Sequence, residues 1–285
     1  MDPAAAVERL WPDRGASVVP LSGGITNHNF KIDVNGQAFV LRMGGAETGL
    51  LGIDREVEHQ ANLRAAEVGL GPDVVAFLPG EGWLVTRFID GLPIPLEEMR
   101  RPHTIRRVAA ALHNLHDAAP IPGRFDPHAV VEEYRREAEA HAVEVPAAYG
   151  AAHAVSERIR RTRGPQPVVP CHNDLLNANF LDDGEIRIVD WEYAGMGDRF
   201  FDLANLSVNH EFAAAEDRIL LTAYFGKATK ARFASLGMMK FMSDFREAMW
   251  GVLQSGISEL DFDFNGYAAK HFERLAAHAG ALRIE

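Results

Sequence analysis

The sequence predicts an α+β protein in two lobes, a small strand-rich lobe over residues 1–90 and a larger, mainly helical lobe over residues 91–285. Three observations carry this. Apolar alternation surrounds the hairpin dipeptide Asn35-Gly36. Helical three- and four-residue spacing dominates beyond residue 100. Between the two regimes the chain passes through Pro93-Ile94-Pro95, where neither pattern persists.

Taken in order, Leu21-Ser22-Gly23-Gly24-Ile25-Thr26-Asn27 reads as a loop of small residues. Phe30–Val34 and Ala38–Arg42 are the hairpin strands. From Asp54 to Val68, apolar positions fall at helical spacing until Gly69 and Gly71-Pro72 stop them. Trp83–Ile89 is a further strand closed by Asp90-Gly91. Thr104–His116 is an amphipathic helix, a helical region from Val130 to Arg161 is interrupted near Pro146, and Val168–Trp191 is a turn-and-strand segment. The remainder is helical. A ligand cleft is expected between the lobes.

The 285 residues carry 29 Lys and Arg against 40 Asp and Glu, a formal charge of −11. That sign disfavours a phosphate-backbone partner, so no nucleic acid is expected, and a cationic small molecule fits it better. Cys171 is the only cysteine, which excludes an intrachain disulfide. No apolar run has the length of a membrane span, so no membrane insertion is expected. Without a secretory signal at the start of the sequence, the expected location is cytoplasmic.

The stretch His172-Asn173-Asp174-Leu175-Leu176-Asn177-Ala178-Asn179 sets a carboxylate five residues before a carboxamide. After the apolar run Ile186–Val189 a second carboxylate, Asp190, arrives at a strand end. Phosphoryl transfer uses one carboxylate to orient the acceptor hydroxyl, and an Asn and an Asp to hold magnesium. A turn capped by its own side chains would show the same octapeptide. The Ser22–Asn27 loop suits nucleotide phosphates, and Arg42 with Glu58 suits the ion pair of a strand and helix beside them.

Together these residues resemble the choline/ethanolamine kinase family, within the aminoglycoside phosphotransferase-like group. The likeness runs from Leu21 to about Arg274. It is carried by the loops above, by Val40-Leu41-Arg42, Val189-Asp190-Trp191-Glu192-Tyr193, Phe201-Asp202-Leu203-Ala204-Asn205 and Trp250-Gly251-Val252-Leu253-Gln254. The resemblance implies a bilobal protein-kinase-like fold using ATP and Mg2+, with Asp174 as catalytic base and Asn179 and Asp190 as metal ligands. Nucleotide contacts would come from Ser22, Gly23, Gly24, Thr26, Asn27, Arg42 with its partner Glu58, and the hinge residues Arg87, Phe88 and Ile89. The implied partner is a small amino-alcohol acceptor, choline or a relative such as ethanolamine, thiamine or an aminoglycoside; a homodimer is compatible with it. A nucleotide-binding pseudokinase is the rival reading.

Trp250 matches an aromatic of the family's acceptor pocket, but Glu247 stands where choline kinases carry a further Trp. Glu247 reads either as a carboxylate for a protonated amine or as an exposed helical charge, the latter preferred. Glu192, Tyr193, Phe201, Asp202 and Asn205 are further pocket candidates, with Asp202 alternatively tying down the loop after Asp190. His172 is expected to hold the catalytic loop's backbone, and His113 and His116 to be ordinary surface or core histidines.

Overall fold

A computed structural model describes residues 2–21, 27–44 and 48–282. A helix the sequence pattern did not announce, α1 (Pro3–Leu10), starts at Asp2, whose carboxylate accepts the Ala4 N–H. β1 (Ser17–Leu21), β2 (Asn27–Val34), β3 (Gln37–Gly44), β4 (Val74–Leu78) and β5 (Trp83–Arg87) form an antiparallel sheet in the order β1-β2-β3-β5-β4. The β2–β3 turn is the expected one: Asn35 and Gly36 both have left-handed backbone, φ 54° and 78°. β1 and β4, both edge strands, had no alternating signal to betray them; β1 carries Pro20, which an edge tolerates. β5 stops at Arg87 rather than Ile89. There the chain turns into the connection between lobes, with the Arg87 N–H donated to Asp73 and that of Phe88 to Ala38.

α2 (Arg55–Glu67) begins at Asp54, which accepts the N–H groups of Glu56 and Val57, and gives way to a left-handed Gly69. Beyond the connection, β6 (Leu92–Pro93) and α3 (Leu96–Met99) lead to α4 (Pro102–His116). The interrupted helical region resolves into α5 (Pro127–Ala140) and α6 (Ala148–Arg163). Then come β7 (Val168–Cys171), a single 3-10 turn at Asn177–Asn179, β8 (Phe180–Asp182), β9 (Ile186–Ile188) and β10 (Gly195–Asp198). Small sheets β6-β8-β9 and β7-β10 frame the segment. The chain closes with α7 (Arg199–Asn209), α8 (Ala214–Phe225), α9 (Lys230–Ile257) and α10 (Phe264–Ala281).

Two apolar clusters hold this together. One covers a face of the five-stranded sheet with Val7, Ile32, Phe39, Leu41, Met43 and Val85. The other gathers α4, α5, α7 and α9, and draws in Ala61 and Ala65 of α2 with Leu70. The helix that carries Glu58 is thereby packed into the core of the helical half, although it lies between strands of the sheet in sequence. No helix among the described residues is long and apolar enough to cross a membrane.

Candidate active site

β7 delivers the chain into the loop His172–Asn179 with its backbone polar groups already committed. Asp202 on α7 accepts the N–H of His172 at 2.9 Å and of Asn173 at 2.7 Å, while its Oδ2 also lies 3.0 Å from His116 Nε2. Asn205, one turn along α7, accepts the N–H of Leu175 and donates to Ser243. His172 Nδ1 accepts the Asp174 N–H, so its Nε2 carries the proton donated to Val189 O. Burial lowers the His172 pKa and favours this neutral form. His172 thus does the backbone work expected of it. Asp202 and Asn205, offered above as pocket candidates, are fully buried: Asp202 accepts two backbone amides of the His172–Asn179 loop rather than tying down the loop after Asp190, and Asn205 accepts a third while donating to Ser243 Oγ. Phe201 packs on Phe125 and is fully buried in the core.

Asp174 emerges from this scaffold buried, its pKa pushed up to about 7 chiefly by burial, with Glu247 and Glu192 adding to the rise and Arg246 opposing it. Asn179 closes the 3-10 turn and donates Nδ2 to the Asp174 backbone carbonyl at 2.9 Å, which leaves its amide oxygen as the free end. Asp190 follows β9 in a left-handed conformation, φ 67°, a strained setting for a non-glycine residue. Its Oδ1 is buried with no hydrogen-bond partner among the described residues, and burial together with Glu192 and Asp174 raises its pKa well above the ordinary aspartate value. An unpartnered buried carboxylate oxygen beside an oriented amide oxygen is a donor set that fits a hard divalent cation.

Above them, Arg42 Nη2 lies 2.8 Å from Glu58 Oε2, both side chains buried. Sequence reading missed a second guanidinium in this network. Arg55, at the first position of α2, donates Nη1 to Glu58 (2.7 Å) and Glu192 (3.2 Å), and Nη2 to Asn27 Oδ1 (2.8 Å). Asn27 in turn donates to Glu192 Oε2 at 2.8 Å. Glu192, proposed above as an acceptor contact, therefore turns toward the strand lobe and clasps it. The available signal was Arg55's place three residues before Glu58, an ordinary helix-surface spacing. A cavity of about 380 Å³ lies beneath this network. Val40, Leu84 and the hinge residues Arg87, Phe88 and Ile89 line one side, Arg42 and Glu58 another, and Asn179 and Asp190 its floor. Ser22, Gly23, Gly24 and Thr26 lie outside the described residues.

On the far side of Asp174, α9 presents three residues. Trp250 is buried, donates Nε1 to Tyr193 Oη at 3.2 Å and meets Tyr267 and Phe264 edge-on. Glu247 is not an exposed helical charge: it is 3% exposed, accepting from Arg246 Nη1 at 2.5 Å and from Tyr267 Oη at 2.8 Å. The preference for exposure failed because α9 is enclosed on all sides around this turn, so amphipathic periodicity gives no face to solvent. Arg246, also missed, is 1% exposed, donates Nη1 to Asp174 Oδ1 at 3.1 Å and lies 4.3 Å over the Tyr193 ring.

A five-stranded lobe joined by a short connection to a helical one, with paired charges above the cleft and an Asp–Asn–Asp constellation below it, defines a phosphotransferase of protein-kinase-like fold acting on an alcohol group. Residues 17–236 match the phosphotransferase enzyme family, and the chain belongs to it, in its choline/ethanolamine kinase-like part. A choline/ethanolamine kinase family protein from Mesorhizobium loti is 33% identical, with 100% of this chain and 99% of that one covered and a TM-score of 0.83. Protein LicA of Haemophilus influenzae is 24% identical over 90% of this chain and 78% of its own. Rat ethanolamine kinase 2 is 26% identical over 82% of this chain and 68% of its own. The aminoglycoside phosphotransferase APH(4)-Ia shares the fold, with a TM-score of 0.70 at 18% identity and coverage of 98% and 99%.

Proposed function

We propose that the protein transfers the γ-phosphoryl group of ATP, with Mg2+, to the hydroxyl of a small amino alcohol of the choline or ethanolamine type. The observation that carries the reading is the cavity of about 380 Å³ whose walls hold the hinge, the Arg42–Glu58 pair, Asn179 and Asp190, with Asn179 hydrogen-bonded to the Asp174 backbone. In this reading residues 1–90 bind the nucleotide and residues 91–285 supply catalysis and the acceptor site. The names and similarity of the relatives support the amino-alcohol class.

Adenine enters beside Phe88 and Ile89 between the apolar side chains of Val40 and Leu84. Arg42, held by Glu58, meets the phosphates, with Asn27 beside it. Asn179 and Asp190 would hold the magnesium, which neutralises phosphate charge when bound. Asp174 Oδ2 has no hydrogen-bond partner among the described residues and accepts the acceptor hydroxyl. In the transfer the hydroxyl oxygen bonds to the γ-phosphorus, the bond from that phosphorus to the β–γ bridging oxygen breaks, the proton passes to Asp174, and ADP leaves. Burial beside Glu192 and Glu247 suits Asp174 to proton acceptance near neutrality.

The test is Asp174→Asn. ATP-dependent phosphorylation of choline and ethanolamine should fall about a thousandfold or more, while calorimetric affinity for ATP stays within about twofold. Turnover at the wild-type rate in that variant sinks the assignment.

A further inference from the structure

Arg246 is buried between Asp174, Glu247 and the Tyr193 ring. Its guanidinium lies on the Tyr193 face, and Nη1 reaches both Asp174 and Glu247. Glu247 is further satisfied by the Tyr267 hydroxyl, and Tyr193 Oη by Trp250. The aromatic face and the carboxylate that would recognise an ammonium are thus already taken by the chain's own cation. Desolvation would lower the charge on a lone buried guanidinium, but Glu247 and Asp174 keep Arg246 firmly protonated.

The opposite edge of the same guanidinium tells what is missing. Nε and Nη2 are buried and have no hydrogen-bond partner among the described residues. These two donors form the side of the planar fork that grips a carboxylate or phosphate with two parallel hydrogen bonds. Because the fork is rigid and its Nη1 is anchored on Asp174, an oxyanion on that edge lies within one small molecule's length of the base. We propose that Arg246 is an oxyanion receptor on the acceptor side of Asp174, and that the preferred acceptor is an alcohol bearing a carboxylate. This rests on Asp174 being the base, as proposed above, and narrows the acceptor class. The other source of the same chemistry is the phosphoryl group in transfer.

Matched pairs separate the possibilities: ethanolamine against serine, and choline against carnitine, each pair set apart by a carboxylate. Calorimetric binding is measured for the wild type, Arg246→Leu and Arg246→Lys, with melting curves as a folding control, and turnover is measured alongside. The expected result is about tenfold tighter binding of the acid in each pair, reduced to within about twofold in Arg246→Leu. Arg246→Lys, which keeps the charge but loses the fork, should lose most of the preference, and it decides the matter if the leucine variant does not fold. If the oxyanion is instead the transferring phosphoryl group, kcat falls about a hundredfold for every acceptor in Arg246→Leu with acceptor affinities unchanged. Equal binding within both pairs together with undiminished kcat in Arg246→Leu overturns the inference. So does choline binding that tightens in Arg246→Leu when the wild type shows no preference for acids, because Arg246 would then be a plug. Absence of turnover with every acceptor counts against the kinase reading, while the binding ratios still decide the role of Arg246.

Discussion

Under the proposed function, Asp202 serves the chemistry through the loop it holds rather than by contact with substrate. Each of its oxygens accepts a backbone N–H of the catalytic loop, and one also meets His116. Asp202→Ala leaves two buried amides without partners, at about 1–3 kcal/mol each. We expect it to lower kcat by at least about tenfold, with KM for nucleotide nearly unchanged, and to lower the melting temperature; steady-state kinetics and a thermal melt measure both. Buried histidines set the acid side of stability. Burial presses the pKa of His210 and of His128 down to about 4, so both stay neutral in the folded chain where the unfolded chain would protonate. Between pH about 6.5 and about 4 the unfolded state binds the extra protons, so stability falls as pH is lowered through that window. Denaturant titrations across it should show the loss, and His210→Phe should flatten part of the slope; an unchanged slope in that variant removes His210 from the account.

The long helix α9 ties site and stability together. Asp244, two residues before Arg246 and three before Glu247 at its middle, accepts from Arg274 and His271 of α10, with His278 3.3 Å away. These contacts hold its carboxyl well below the usual range despite burial. Its stabilisation is therefore present above the ordinary carboxylate range and is lost only as pH falls below about 4. Asp244→Ala should cost on the order of 2–4 kcal/mol in urea unfolding, since it strands a partly buried guanidinium, and should speed hydrogen exchange in α10. Of the elements, those with a local signature were legible: the hairpin from Asn35-Gly36, α2 from Asp54 to Gly69, and α4 from its stripe. α1, β1 and β4 were not, because short edge elements take their conformation from the sheet and core they lean on. The burial of Glu247 was hidden for a related reason. Its partners, Arg246 and Tyr267, are supplied by its own helix and by α10, and no spacing rule announces them.

Across the whole molecule the same division recurs. Asp174, Asn179, Asp190 and the Arg42–Glu58 pair lie in short segments whose order could be read directly, and the fold brings them around one cleft. The second cation network joins three distant segments, Asn27 on β2, Arg55 on α2 and Glu192 just beyond Asp190, so it appears only when the chain is folded. Its position gives it a role that no single segment has. Arg55 holds the helix bearing Glu58 to the segment bearing Asp190, and α2 already shares the helical half's core through Ala61 and Ala65. Losing the guanidinium leaves Glu192 near Asp174 and Asp190 with Asn27 as its only side-chain partner among the described residues, and Glu58 with Arg42 alone. The apolar packing of α2 survives. The consequence is expected in nucleotide binding more than in folding: Arg55→Ala should raise the KM for ATP about tenfold and lower kcat several-fold, while unfolding free energy falls by about 1–2 kcal/mol. Arg55→Lys, which can reach one carboxylate but not bridge three partners, should recover stability before it recovers KM. Kinetics and urea titrations on the two variants would separate the effects. A KM unchanged in both would mean that α2 is held in register by its core packing alone.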